Sequence, residues 1–533
     1  MKIDNGTETP STNKEEYKQG RTVSSGKAHS KKTQTVVLAL LFFVLLTLLL
    51  RVINIGHPLS WDEAFDTLTT AEHSTATANS LWGDRFYQHS PLYLETGVIF
   101  EKVTHAKRQN LALFFEMLSI LCSLITVLLI YLCGKEWFTD RVGILGAFFY
   151  AILPAARVFD SWIKQDSMMM MFALAFLFFF FRKRYIISGI FLGLAVLTKE
   201  PTIFIAVAVG VFLIVSGRFK EILKLLLASS IAAVISLWWF VFYASSSGRF
   251  IDFFLGNSSE AKTFANSWYH FIARIPQDVG WVVLILCIAA IGLFIYRFKK
   301  EKRGMVPFLF IWIVVLYLIF SISYGKPPWV IHSVLPPLAL LAGWALSEGA
   351  DLIRNKRLAL GMIALVLVLA LVLSVLVGFN SYLTKADRSF SGWLQEKKMA
   401  EFINTSDGNR VMLRYDDISP VLFYYLNAFS PEKVAFAGAQ VPPDATSADT
   451  VFLIDPATDF SLFTQRILHI LPDFLILRSA PMVVGVTPGQ PFDRETLIRD
   501  LEQYDKNPRT FGNAFVFNGG KIAGAAAAQE RSQ

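Results

Sequence analysis

The chain has 533 residues, of which 54% are hydrophobic and only 17% charged, and its formal net charge is +8. A soluble domain of that size carries more charge, so the composition excludes an ordinary soluble protein. The Lys and Arg stand in short clusters between long apolar runs, which makes membrane topology, not nucleic-acid binding, the reading of the positive balance.

Residues 1–35 are polar, rich in Lys, Ser and Thr, and read as a disordered cytoplasmic tail. The apolar run that follows lacks a small-residue cleavage pattern and reads as a retained anchor. A bilayer core of about 30 Å takes roughly 20 apolar residues per helix. On that rule spans are expected at 36–53, 110–133, 142–158, 166–181, 185–199, 201–217, 222–244, 279–296, 305–323, 329–348 and 358–379. A large external loop lies at about 54–109. Within it, residues 91–104 are short and carry Glu95 and Glu101, so they read as a helix in the membrane interface. Loop charge supports that choice. If 91–104 does not cross, the basic clusters Lys135–Arg141, Arg182–Arg184, Arg218–Lys224, Arg297–Arg303 and Arg354–Arg357 all face the cytoplasm; if it crosses, all face outward. The expectation is eleven spans in a module over 36–380, with the N-terminus cytoplasmic and the C-terminus outside. Residues 381–533 contain the strand-like runs RVMLRY, KVAFAG and TVFLID, a helix-like stretch near Phe463–Leu471 and Pro/Gly turns, and read as an extracytoplasmic α/β domain. Cys122, Cys133 and Cys287 form no CxxC pair or disulfide framework.

With this topology the outer face collects the ionisable residues. Loop 1 holds Asp62, Glu63, Asp66, Glu72, Asp84, Arg85 and His89. Later outer turns hold Arg157, Asp160, Lys164 and Asp166, then Lys199 and Glu200, then Arg249, Asp252, Lys262, His270 and Arg274, then Tyr324, Lys326 and His332. Ionisable groups at membrane depth are costly and mark function by default. Cations there suit a lipid-borne phosphate, and a nearby carboxylate suits a general base. A phosphate leaving group departs without a general acid, so one catalytic carboxylate suffices where a glycosidase needs two. The set suits transfer of a sugar from a polyprenyl phosphate to a hydroxyl.

Four motifs sharpen this. They are Trp61-Asp62-Glu63-Ala64; His89-Ser90-Pro91-Leu92-Tyr93; Gly193 to Pro201 (GLAVLTKEP); and Gly325-Lys326-Pro327-Pro328 followed by Leu335 to Gly343 (LPPLALLAG). In order and topology they resemble the polyprenyl-phosphate-dependent glycosyltransferases of GT-C type, which include protein O-mannosyltransferases and aminoarabinose transferases of lipid A. The resemblance covers roughly 36–350. It implies a polytopic α-helical fold, Asp62 as general base, Glu63 as its supporting neighbour and Asp166 as a second functional carboxylate. It places Lys199 and Lys326 near the donor phosphate, with Arg157 and His332 as further candidates and His89, Tyr93 and Glu200 as substrate or loop residues. Trp329 stands where the family commonly has Tyr and His332 where it has Pro, which weakens the phosphate reading of that turn. The implied partners are a polyprenyl-phosphate sugar, a hydroxyl acceptor on protein, lipid or glycan, and the inner or plasma membrane. No nucleic acid, cofactor or obligatory metal is expected, and anomeric configuration inverts.

Plainer readings exist for each residue. Asp62 and Glu63 also suit a helix N-terminus, Asp166 an N-cap, Lys199 and Lys326 a snorkelling role, Arg157 a headgroup anchor and His89 simple packing. His270 and His332 lack a zinc spacing. A transporter or flippase would carry repeats and midplane charges, whereas these charges gather at one face and no internal repeat is evident. A non-catalytic protein of polysaccharide assembly is the remaining alternative.

Overall fold

The computed structural model describes residues 34, 36–57, 59–75, 90–242, 252, 254–257, 265–298, 304–378 and 424–425, with five strands between 410 and 518. His89, Asp84, Arg85, Arg249, Lys262, the tail before residue 34 and the helix-like stretch at 463–471 lie outside them.

The helices in chain order are α1 (Val36–Val52), α2 (Trp61–Thr75), α3 (Leu92–Thr104), α4 (Arg108–Trp137), α5 (Asp140–Ile152), α6 (Pro154–Phe159), α7 (Gln165–Phe181) and α8 (Tyr185–Thr198). They continue with α9 (Ile203–Val215), α10 (Phe219–Phe242), α11 (His270–Val279), α12 (Trp281–Tyr296), α13 (Val306–Ile322), α14 (Leu335–Asp351) and α15 (Lys356–Leu373). Every expected span falls on a helix, but their lengths divide. Among the described residues four are long and apolar enough to cross a bilayer: α4, α10, α15 and α14 together with the 3-10 turn before it. Others, such as the 13 residues of α9, are shorter than a bilayer core at 1.5 Å per residue. The stretch expected in the interface is the 13-residue helix α3.

Three departures from the sequence reading have local causes. Loop 1 carries a second helix besides α3: α2, whose first turn holds Asp62 and Glu63, where the helix dipole favours negative charge. The expected span 142–158 breaks at Leu153, because Pro154 has no N–H to continue α5 and instead starts α6. The expected span at 279–296 is preceded by α11, and the two helices bend by 116° at Gly280, whose φ is +78°. Glycine tolerates that backbone without strain.

The core lies where α14 packs on α5 and α12, α4 on α5 and α7, and α8 on α7 and α10. Small residues set the closest approaches. A Cβ on Gly134 would stand 2.6 Å from the Gly143 Cα, and one on Gly343 would stand 2.8 Å from the Gly146 nitrogen. Helices in an apolar solvent associate through such backbone proximity. Leu, Ile, Val and Phe on α10, α12 and α15 remain exposed along their outer faces, as a lipid-facing surface requires.

After α15, strands β1 (Arg410–Arg414), β2 (Val434–Ala437), β3 (Thr450–Ile454), β4 (Phe474–Arg478) and β5 (Val516–Asn518) form one sheet in the order β2-β1-β3-β4-β5. The first four are parallel and β5 is antiparallel. The three strand-like runs of the sequence are β1, β2 and β3.

Candidate active site

The first turn of α2 and the turn joining α6 to α7 face one another. Glu63 is fully buried and its carboxylate is saturated. Oε2 accepts from the Ser60 backbone nitrogen at 2.6 Å, Oε1 accepts from the Ile163 nitrogen at 2.9 Å, and His57 Nε2 stands 3.0 Å from Oε1. His57 Nδ1 is 2.9 Å from the Asn54 carbonyl oxygen. Both ring nitrogens therefore face acceptors, the arrangement of an imidazolium. Burial pulls the His57 pKa down, but the charge and hydrogen bond of Glu63, the Glu116 charge and the Asn54 carbonyl together pull it up further, and the balance is about 9. Burial pushes the Glu63 carboxylate upward, but His57 together with the Ser60 and Ile163 backbone donors outweighs it and holds the carboxylate below its ordinary range. Glu63 thus ties loop 1 to the α6–α7 turn.

That clamp positions its neighbour. The Asp62 side chain is 40% exposed, and its Oδ2 accepts from Lys164 Nζ at 2.5 Å. Lys164 is buried and its ammonium lies 3.8 Å from the centre of the Trp329 ring. Burial lowers the Lys164 pKa, but Asp62, Asp166 and Glu63 together outweigh it and the net direction is upward, so the lysine stays charged. One turn beyond Asp62 on the same helix face, Asp66 is buried and close to Asp62, Lys164 and Lys199. Burial, then the Asp62 charge, pushes its carboxyl well above the usual range.

A second ion pair stands beside the first. Asp166, in the first turn of α7, accepts from Lys199 Nζ at 2.6 Å. It makes no N-cap hydrogen bond; Lys164 holds the cap position. Lys199 ends α8 in extended backbone, and Glu200-Pro201 open a 3-10 turn before α9.

Lys326 stands two residues before the 3-10 turn that carries Trp329. Its Nζ donates to the Ser323 carbonyl at 2.5 Å and to the Tyr324 carbonyl at 3.4 Å. It lines a cavity of about 550 Å³ whose other walls are mainly apolar: Phe254, Leu255, Trp268, Leu318, Ile322 and Tyr324.

The other sequence candidates are placed differently. His332 is fully buried with Nε2 2.7 Å from Asp160 Oδ1. Asp160 also accepts from Arg51 at 2.8 Å, Ser123 at 2.5 Å and Ser167 at 3.0 Å. Arg157 is buried and donates to the Ser374 carbonyl at 3.1 Å. Tyr93 stacks on Phe115 and its hydroxyl meets Ser119 at 3.0 Å. Glu200 borders Ser90, ahead of α3. The structure brings Asp62, Glu63, Asp166 and Lys199 together and sets Arg157, His332 and Tyr93 in packed interiors. Lys164, Asp66 and His57 were not singled out from sequence. Asp66 is four residues after Asp62, a spacing that signals a shared face once the segment is known to be helical. Among the described residues no three His, Cys, Asp or Glu side chains group as a metal site.

Residues 99–241 match the family described as dolichyl-phosphate-mannose-protein mannosyltransferase; the match begins after Asp62. An undecaprenyl phosphate-alpha-4-amino-4-deoxy-L-arabinose arabinosyl transferase of Photorhabdus laumondii is 26% identical over 268 residues, 45% of this chain and 46% of the relative. A second such transferase, from Proteus mirabilis, is 25% identical over 266 residues, with the same coverage of each chain. The chain spans about half the length of the curated relatives it matches. Among solved structures, ArnT from Cupriavidus metallidurans bound to undecaprenyl phosphate superposes with a TM-score of 0.55 at 14% identity, covering 91% of this chain and 98% of that one. The Archaeoglobus fulgidus oligosaccharyltransferase gives 0.51 at 14% identity, covering 77% and 65%. In fold and in sequence motifs the chain resembles the GT-C type polyprenyl-phosphate-dependent glycosyltransferases.

Proposed function

We propose that this chain is a membrane glycosyltransferase that moves a sugar from a polyprenyl-phosphate donor to an acceptor hydroxyl, acting at the outer face of the inner or plasma membrane. The observation that carries the reading is the pairing of a half-open carboxylate, Asp62, with a buried ammonium, Lys164, next to the Asp166–Lys199 pair. The apolar cavity edged by Lys326 supplies what an isoprenoid phosphate needs, an oily wall and a cation at its mouth. The arabinosyl transferase relatives and the undecaprenyl phosphate-bound structural neighbour support the donor class.

In this reading the donor enters from the outer leaflet, with Lys199 and Lys326 near its phosphate. Lys199 turns from Asp166 toward the phosphate, which has the stronger claim on an ammonium. Asp62 takes the acceptor proton as the acceptor oxygen bonds the anomeric carbon. The bond from that carbon to the phosphate oxygen breaks, the polyprenyl phosphate leaves with the electron pair, and configuration inverts. Glu63 and His57 hold Asp62 in place without touching substrate. Arg157 and His332 face inward and act as braces. The reaction needs no metal. Eleven spans, a cytoplasmic N-terminus and an outer C-terminal α/β domain complete the arrangement.

The test is turnover of a polyprenyl-phosphate sugar by the protein in vesicles. Asp62→Asn should abolish it while the protein folds; near-wild-type turnover would remove Asp62 as the base. Activity that vanishes on chelation and returns with a divalent ion would overturn the metal-free reaction.

A further inference from the structure

The proposed transfer step draws on no residue of the sheet formed by β1 to β5. The order of that sheet, β2-β1-β3-β4-β5, puts the first strand of the chain inside it. The chain leaves β1 for β2 on one side and then crosses to β3 on the other. Such a reversal is a topological switch point. In open parallel sheets ligands bind outside the carboxyl ends of the strands at that point. Strands β1 to β4 are parallel, so their carboxyl ends form one edge.

Charge is confined to one face of this sheet. The charged residues of the five strands are Arg410, Arg414 and Arg478, with no Lys, Asp or Glu among them. Cα partners on neighbouring strands share a face, and faces alternate along each strand. Arg478 pairs with Ile454, and Arg414 follows the Leu413–Leu453 pair by one residue, which puts it in the row of Ile454. Arg410, at the start of β1, falls on the same face. The opposite face of β1, β3 and β4 is apolar: Val411, Leu413, Val451, Leu453, Leu475 and Leu477. Arg414 ends β1 and Arg478 ends β4, with Ile454 of β3 between them. Strands stand about 4.8 Å apart, so the two arginines are rooted about 10 Å apart on one face of the carboxyl edge, beside the switch point.

We infer that this edge is a phosphoryl-binding site, formed by Arg414 and Arg478 across the end of β3. Guanidinium groups meet phosphate oxygens in bidentate fashion. A phosphate monoester carries about −1.5 to −2 charges at pH 7, which suits two guanidinium groups where a carboxylate would match one. In the sequence, Asp416, Asp417 and Asp455 follow β1 and β3. Ion pairs with them are the competing role for the arginines, and phosphate binding decides between the two. The ligand is the phosphoryl group itself, free or as an ester.

The test is titration calorimetry of the full chain in nanodiscs of zwitterionic lipid, which needs no turnover. Lys199→Met and Lys326→Met are placed in the background to silence the ammoniums assigned to the donor phosphate. Inorganic phosphate and glycerol 3-phosphate are the probes, with acetate as the singly charged control. A phosphate probe should bind, and acetate should bind at least about tenfold more weakly, the factor expected for one charge-assisted contact. Preference for glycerol 3-phosphate identifies an ester as the source, and preference for inorganic phosphate identifies the free anion. Arg414→Gln and Arg478→Gln should each weaken binding at least about tenfold by the same measure. Arg410→Gln, on the same face at the opposite edge, should leave binding unchanged. No binding of either phosphate, equal binding of acetate, or unchanged binding by folded Arg414→Gln and Arg478→Gln overturns the site. An equal loss in Arg410→Gln overturns its place at the carboxyl edge. The result stands whether or not the chain transfers sugar from a polyprenyl phosphate.

Discussion

Asp62 and Asp160 are both paired with a cation, and the two pairs live under opposite conditions. Asp160 is sealed in the bundle: Arg51, His332, Ser123 and Ser167 surround it, and neither Asp160 nor Arg51 has any exposed side-chain surface. Asp62 accepts from Lys164 and keeps 40% of its side chain open. A carboxylate with every lone pair occupied and no access to solvent braces helices. A carboxylate with an open side can exchange a proton with a visiting hydroxyl. The difference separates architecture from chemistry among residues that look alike in the sequence.

The largest expected effect tests the open member. Asp62→Asn should lower turnover by roughly 10²- to 10⁴-fold, the usual worth of a positioned general base, with folded yield unchanged in detergent chromatography. The sealed member should behave inversely. Asp160→Ala leaves Arg51 buried without its partner and should cost about 3–5 kcal/mol of stability, read as loss of folded protein before any kinetic change. If Asp160→Ala instead folds normally and only slows turnover, the division between the two sites breaks.

Much of this was legible in the sequence. Apolar runs located the helices, and the order of Asp62, Asp166 and Lys199 named three of the four residues that form the two neighbouring ion pairs. Lys164 was in view as an outer-face cation, but nothing in a linear pattern says which of several lysines turns toward Asp62. His332 shows the converse. Its position beside Lys326 suggested a phosphate, whereas Asp160, whose partners come from α1, α4, α7 and the turn before α14, holds it in the interior. Contacts between residues so distant in the chain leave no periodic signal.

Smaller effects sharpen the comparison. Lys199→Met should raise the donor KM by roughly tenfold, as loss of a charge-assisted contact to phosphate does, while the KM for acceptor stays put. An equal rise in both would place Lys199 in structure, not in donor binding. The gentlest probe is pH. His57 is raised from the unperturbed value near 6.5 to about 9 in the folded protein. Its contribution to stability is therefore complete below about pH 6.5 and is lost as pH rises through 9. Thermal unfolding of the wild type should move to lower temperature between about pH 7 and 10, and His57→Gln should remove that slope and leave the acid side unaffected.

The Glu63 clamp also sets a timetable. Two of its ties, Ser60 and His57, are local, but the third is the backbone of Ile163, 100 residues downstream. At about 5–20 residues per second, the ribosome delivers Ile163 roughly 5–20 s after Glu63. For that interval α2 has its charges but not its anchor, and Asp62 has no lysine to face. The Glu63–Ile163 and Asp62–Lys164 contacts therefore wait for the α6–α7 turn, which is made within the first third of the chain.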